Sequence, residues 1–219
     1  MKKEVKIVLP FWKIAYSVFF IVILSLIRGI TFTDEIGIAM EAPIAILVTV
    51  FCADTYIQEI MSNRSEIHRL YPIKKRFVSL LQRLLIQQLF LLLLAVIGYG
   101  CFLVFQRPRT HLLAENGVEQ FIIYFAAILI TICFWGILVA TLSMLFRNMW
   151  VGIGGCLLMW MATISTWGNK FLGEWNWFSY TFRETENIGD FTWVRGKLMC
   201  LCIGMALLVA SPKIIKERG

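Results

Sequence analysis

Six long runs of apolar side chains, separated by short stretches in which charged, amide and proline residues collect, organise this sequence. They cover about 11–30, 42–57, 80–105, 121–146, 149–167 and 193–211. A spanning helix needs about 20 mostly apolar residues, within a working range of about 17–25, and each run meets or approaches that length. The run at 121–146 carries no charge, and the one at 42–57 is interrupted only by Asp54. The last run is the weakest, because Arg195 and Lys197 shorten its apolar core. Lys13 and Arg28 lie near enough to the ends of the first run to snorkel towards water. Gly152, Gly154, Gly155 and Cys156 give the fifth a small-residue surface that another helix can approach closely.

Composition turns these runs into a statement about solvent. The 219 residues are 59% hydrophobic and 16% charged, against roughly 45–50% apolar and about 25% charged in soluble domains. The surplus has to face lipid. The expected fold is therefore an all-α integral membrane protein in which residues 1–219 form one transmembrane domain of six helices, a multi-pass protein of the cell membrane. Although Lys2, Lys3 and Lys6 precede the first run as in a signal peptide, no small-x-small cleavage pattern follows Ser25, so the run reads as a retained span. All six cysteines, at 52, 101, 133, 156, 200 and 202, fall in apolar runs and read as small hydrophobes rather than disulfide partners.

Orientation follows from the cations. With six spans and both ends cytoplasmic, the inner segments hold 14 of the 21 basic residues against four acids, and the outer segments hold the other seven against nine. This is the asymmetry of positive residues retained inside. The net charge of +7 then belongs to a membrane boundary and not to a nucleic-acid surface.

One inner segment is substantial, the loop 58–79 between the second and third runs. Its middle reads as a short amphipathic helix, capped by Ser62 or Asn63, with Glu66 in its first turn, His68 and Arg69 in its last, and Tyr71-Pro72 stopping it. Ile60, Ile67 and Leu70 are enough to enter a groove on a partner. Arg64, Arg69 and Lys74-Lys75-Arg76 are equally suited to rest on anionic lipid. The stretch Glu59, Ser65, Glu66, Leu70, Tyr71, Pro72, Ile73 and Lys74 to Arg76, placed between the second and third of six helices, resembles the coupling loop in the permease subunit of bacterial type-2 ABC exporters.

The resemblance implies a membrane subunit that moves a substrate by alternating conformations, with a coupling helix that docks into a separate cytosolic ATPase. Glu59, Ser65, Glu66, His68, Leu70, Tyr71, Pro72 and Ile73 would contact that ATPase. Two copies of the ATP-binding subunit and a second permease, identical or paralogous, would complete the assembly, embedded in membrane lipid. ATP and Mg would sit on the partner, with no cofactor in this chain. The chain departs from many such relatives in lacking a large exterior domain.

The outer loop 168–192, bounded by Trp167 and Trp193, carries Trp175, Trp177, Phe178, Tyr180, Phe182 and Phe191. It reads either as an aromatic belt in the outer leaflet or, by the same resemblance, as short re-entrant helices closing the outer mouth. Asp54 reads as the sole carboxylate deep in a span, where an unpaired charge costs about 2.5–3.5 kcal/mol or more. Arg83 enters the third run at a similar depth, so a structural Asp54–Arg83 ion pair is expected. Gln82, Gln87 and Gln88 read as interhelical glue or as a polar strip, and Cys200-x-Cys202 as packing rather than a metal pair.

The sequence holds no G-x-x-x-x-G-K-[ST], H-E-x-x-H or G-x-S-x-G pattern, so an enzyme is not expected and the energy must come from elsewhere. A hydrophobic or amphipathic cargo, with a lean to a peptide or antimicrobial agent, suits uncharged fourth and fifth runs. The alternatives are a non-transporting membrane scaffold or sensor subunit and, more remotely, an intramembrane enzyme.

Overall fold

The computed structural model describes residues 5, 7–55, 72–109, 117–183 and 191–218. Seven α-helices and a 3-10 turn account for nearly all of it: α1 (Phe11–Ile27), α2 (Glu35–Cys52), α3 (Ile73–Gln106), α4 (Gly117–Phe146), α5 (Met149–Ile164), α6 (Thr166–Leu172), the 3-10 turn Gly173–Trp175, and α7 (Trp193–Arg218). Among the described residues, the one bridge between extended segments joins Phe32 to Arg109.

Helices α2, α3, α4 and α7 are each long and apolar enough to cross a membrane, and α5 with the α6 segment makes a fifth span if that pair, bent by 76°, is counted as one. The architecture is compatible with a membrane-embedded multi-pass protein. α1 is a 17-residue apolar helix, shorter than the expected 11–30. The Gln106 side-chain amide of α3 donates to the carbonyls of Ser25 and Arg28, at 2.9 and 3.2 Å. These bonds satisfy carbonyls at the end of α1 that have no intrahelical partner.

Other boundaries shift for equally local reasons. α2 starts seven residues before the expected Ala42, because the Glu35 carboxylate accepts the backbone N–H groups of Thr31 and Phe32 (2.6 and 3.2 Å) and fixes the chain entering the first turn. α3 begins directly after Pro72, so Lys74, Lys75 and Arg76 belong to its first turns and not to a loop. Proline suits that position, since its missing N–H would have no helical partner there. α4 and α5 are joined by Arg147 and Asn148 alone. Arg147 turns the chain through the left-handed region (φ 51°), and the Asn148 side chain accepts the Trp150 N–H at 2.9 Å.

α4 is the centre of the bundle, packing against α2, α3, α5 and α7, while α1 lies mainly along α3. α2 and α4 are mostly buried, whereas α3 and α7 turn most of their apolar surface outward. The core includes Phe51, Phe102, Tyr124, Ile128, Phe134 and Trp135. One end of the bundle holds the start of α2 and of α7, and the other holds the start of α3 and the end of α7, where Leu80, Met144 and Ile215 form their own small cluster.

Candidate functional site: two ion pairs at the ends of α2

The first centre joins α2, α4 and α7 to the turn that follows α6. Glu41 and Lys197 form an ion pair with side chains 0% and 1% exposed. An ammonium has three N–H donors. Those of Lys197 meet three acceptors: the Glu41 carboxylate, the Thr131 hydroxyl at 2.8 Å and the Trp177 carbonyl at 3.0 Å. The second carboxylate oxygen of Glu41 accepts from the Thr181 hydroxyl at 2.5 Å. The Thr131 hydroxyl lies 3.1 Å from Glu41 Oε1 and 3.0 Å from the Ala127 carbonyl and divides its single proton between them.

Around this pair the segment 173–183 is held as a plug over its end of the bundle. Trp177 packs edge-on against Phe134 at 5.0 Å, and Phe178 stacks on Trp135 at 5.7 Å. The Asn176 side chain donates to the Thr163 carbonyl of α5 at 2.9 Å and accepts the Phe178 N–H at 3.0 Å. The Ser179 hydroxyl donates to the Trp193 carbonyl at 2.7 Å. Tyr180 lies against Gly37 of α2, where an added Cβ would overlap its ring. Arg183 lies over that ring at 4.3 Å and donates to the Asp34 carbonyl at 3.1 Å. Burial holds the Tyr180 hydroxyl above its ordinary pKa, with the Arg183 charge pulling the other way.

The aromatic rings of this segment therefore divide between surface and core. Trp167, Phe171 and Trp175 are exposed, but Phe178 and Tyr180 are buried and Trp177 packs against the core. The rings turn inward because α4 offers an aromatic surface at Phe134 and Trp135, and burial against it gains both area and ring–ring contacts.

The second centre lies at the other end of α2. Lys13 of α1, 1% exposed, donates to Asp54 Oδ1 at 2.5 Å and to the Phe51 carbonyl at 3.0 Å, with its ammonium 5.0 Å from the Phe51 ring. It does not snorkel. Beside it the Thr55 hydroxyl lies 2.6 Å from Gln87 Oε1, and Gln87 Nε2 donates to the Phe51 carbonyl at 3.4 Å. Gln88 donates to the Cys133 carbonyl at 3.4 Å, so both amides act as bonds between helices.

The sequence-expected residues distribute as follows. Asp54 has Lys13 as an ion-pair partner, and Arg83 is buried on α3; the direct Asp54–Arg83 pair stays an expectation. Pro72 caps α3 and Ile73 opens it. Glu59, Ser65, Glu66, His68, Leu70 and Tyr71 lie outside the described residues. Cys200 is buried and Cys202 exposed, on different faces of α7.

Asp54 is not the sole carboxylate at depth, and it lies two positions past the end of α2. Glu41, which precedes the expected start of the second run at Ala42, lies inside α2, and Lys197, taken to shorten the last run, is its partner. The signal was present in the sequence. Lys13, Glu41, Asp54 and Lys197 each interrupt an apolar stretch, and two lone cations facing two lone acids call for pairing, since an unmatched charge in lipid is costly. Chemically, both centres can tie helices together and link motion at one end of α2 to the other. No family model, curated protein or solved structure matches this chain.

Proposed function

We propose that this chain is the membrane-spanning subunit of an ATP-driven exporter of the type-2 ABC kind, with six spans, both ends cytoplasmic, and the 58–79 segment coupled to a separate cytosolic ATPase. In this reading α1 is the first span and α5 with α6 the fifth. Two ATP-binding subunits act beneath a pair of permeases, identical or paralogous. The cargo is hydrophobic or amphipathic, and a peptide or antimicrobial agent suits it best.

One observation supports the reading most. The helix that leads into the coupling segment is gripped by a Lys–carboxylate pair near each end, a part-buried one towards the segment and a fully buried one beneath the plug. Glu41 and Asp54 are 13 positions apart, about 20 Å of helix. A rigid α2 pulled from the coupling segment would carry its displacement to Glu41, Thr181 and the plug. Lys13 would make α1 follow the same movement.

The test is purification of the tagged full chain from its own host. A cytosolic ATP-binding protein in equal amount, lost on Glu66→Ala or Leu70→Ala, is the expected result. Retention of that protein after residues 58–71 are replaced by a Gly/Ser segment would reject the coupling role, and a chain that purifies with no ATPase would favour the scaffold or sensor alternative.

A further inference from the structure

An apolar groove of about 230 Å³ opens on the side of the bundle between α3, α4 and α7, lined by Leu81, Leu85, Ile137, Leu201, Met205 and Leu208 among others. Its surfaces continue towards the end of the bundle where the basic residues lie. On α3 the row of Leu81 and Leu85 leads back two turns to Lys74, about 10 Å from Leu81. On α7 the row that starts at Met205 in the groove leads to Lys216, about 16 Å further on, with Lys213 three positions earlier on the same side. All three lysines are exposed. The two helices meet there, since Leu80 and Phe77 pack with Ile214 and Ile215.

One further feature marks this end as polar beneath its cations. Arg76, 8% exposed, lies on the α3 row Arg76–Leu80–Leu84 that enters the groove at Leu84, and its buried Nε has no hydrogen-bond partner among the described residues.

We propose that this groove is a binding site for one anionic phospholipid. An acyl chain lies between α3 and α7, and the phosphate is held at the groove mouth by Lys74, Lys213 and Lys216. The apolar lining selects a hydrocarbon chain, and the three ammonium groups select a negative headgroup, such as that of phosphatidylglycerol. The inference requires the lipid-embedded bundle and not the exporter.

Two variants separate its parts. Gly204 faces the groove with open space above it, its nearest neighbour being Ile137 at 3.8 Å from an added Cβ. Gly204→Phe therefore fills the groove and leaves the lysines in place. The triple change Lys74→Gln, Lys213→Gln, Lys216→Gln removes the charge and leaves the groove. The full chain is reconstituted in nanodiscs of equal phosphatidylglycerol and phosphatidylcholine, released into mild detergent and weighed by native mass spectrometry. The wild type should retain one phosphatidylglycerol in preference to phosphatidylcholine by about tenfold or more, a scale set by cations close to an anionic surface. The triple variant should keep a lipid without the preference, and Gly204→Phe should keep none. Equal retention of both lipids by the wild type, a preference that survives the triple change, an adduct that survives Gly204→Phe, or a wild-type groove that yields no lipid would each overturn the proposal.

Discussion

The two ion pairs at the ends of α2 use the same chemistry and differ in closure. At Glu41–Lys197 both partners are fully enclosed, and every ammonium donor has an acceptor. At Lys13–Asp54 the cation is enclosed, but the carboxylate is 14% exposed and lies two positions before the segment 56–71. The first has the form of a fixed joint between three helices and the plug, while the second is a joint at a border, where the carboxylate keeps contact with solvent. The cost of removing one partner should fall accordingly.

The largest loss should follow Lys197→Met. It leaves the Glu41 carboxylate, the Thr131 hydroxyl and the Trp177 carbonyl without their shared donor, a change worth about 3–5 kcal/mol for a fully buried pair. Reversible unfolding of the full chain in mixed micelles measures it, and a loss below about 1 kcal/mol would remove the joint from the account. Next, Gly37→Val should cost about 1–3 kcal/mol by forcing the Tyr180 ring off α2. The same unfolding curve would report it, and limited proteolysis within 173–183 should quicken as the plug loosens.

Lys13→Met should cost less than Lys197→Met, about 1–3 kcal/mol, because Asp54 retains contact with solvent. If the two losses are equal, the difference in closure has no energetic meaning. Arg83→Gln sharpens this end of the comparison. Should Arg83 share Asp54, its effect and that of Lys13→Met will fail to add, and simple additivity would reject the Asp54–Arg83 pair. The smallest effect belongs to Thr181→Val, which removes one hydroxyl from Glu41 and should cost about 0.5–1.5 kcal/mol.

How much of this was legible in the sequence depends on whether the information is local. The apolar runs were readable because hydropathy along ten or twenty neighbours decides which helices can face lipid, and α2, α3, α4, α5 and α7 each overlap a run. Helix ends were less readable, because the residues that set them come from elsewhere. The end of α1 is met by Gln106, 78 positions beyond Arg28. The polar centres were the least readable. Glu41 and Lys197 are 156 positions apart, and nothing near either residue names the other. Read alone, each looks like a charge at a frayed span end. The plug was the hardest segment to read: its aromatic composition was visible, but the inward turn of Phe178 and Tyr180 depends on Trp135 and Gly37, which lie on other helices.

The measurement that bears most directly on the central claim is the double-mutant cycle at Glu41 and Lys197. If this pair is the joint that fixes the plug to α2 and α7, Glu41→Leu and Lys197→Leu should each cost several kcal/mol, about 3–5 by the usual cost of a stranded buried charge. Combined in one chain they should return stability to within about 1 kcal/mol of the wild type, since two apolar side chains then replace a matched pair. A double variant whose loss equals the sum of the two single losses would show that the charges do not act on each other, and the joint would be contradicted.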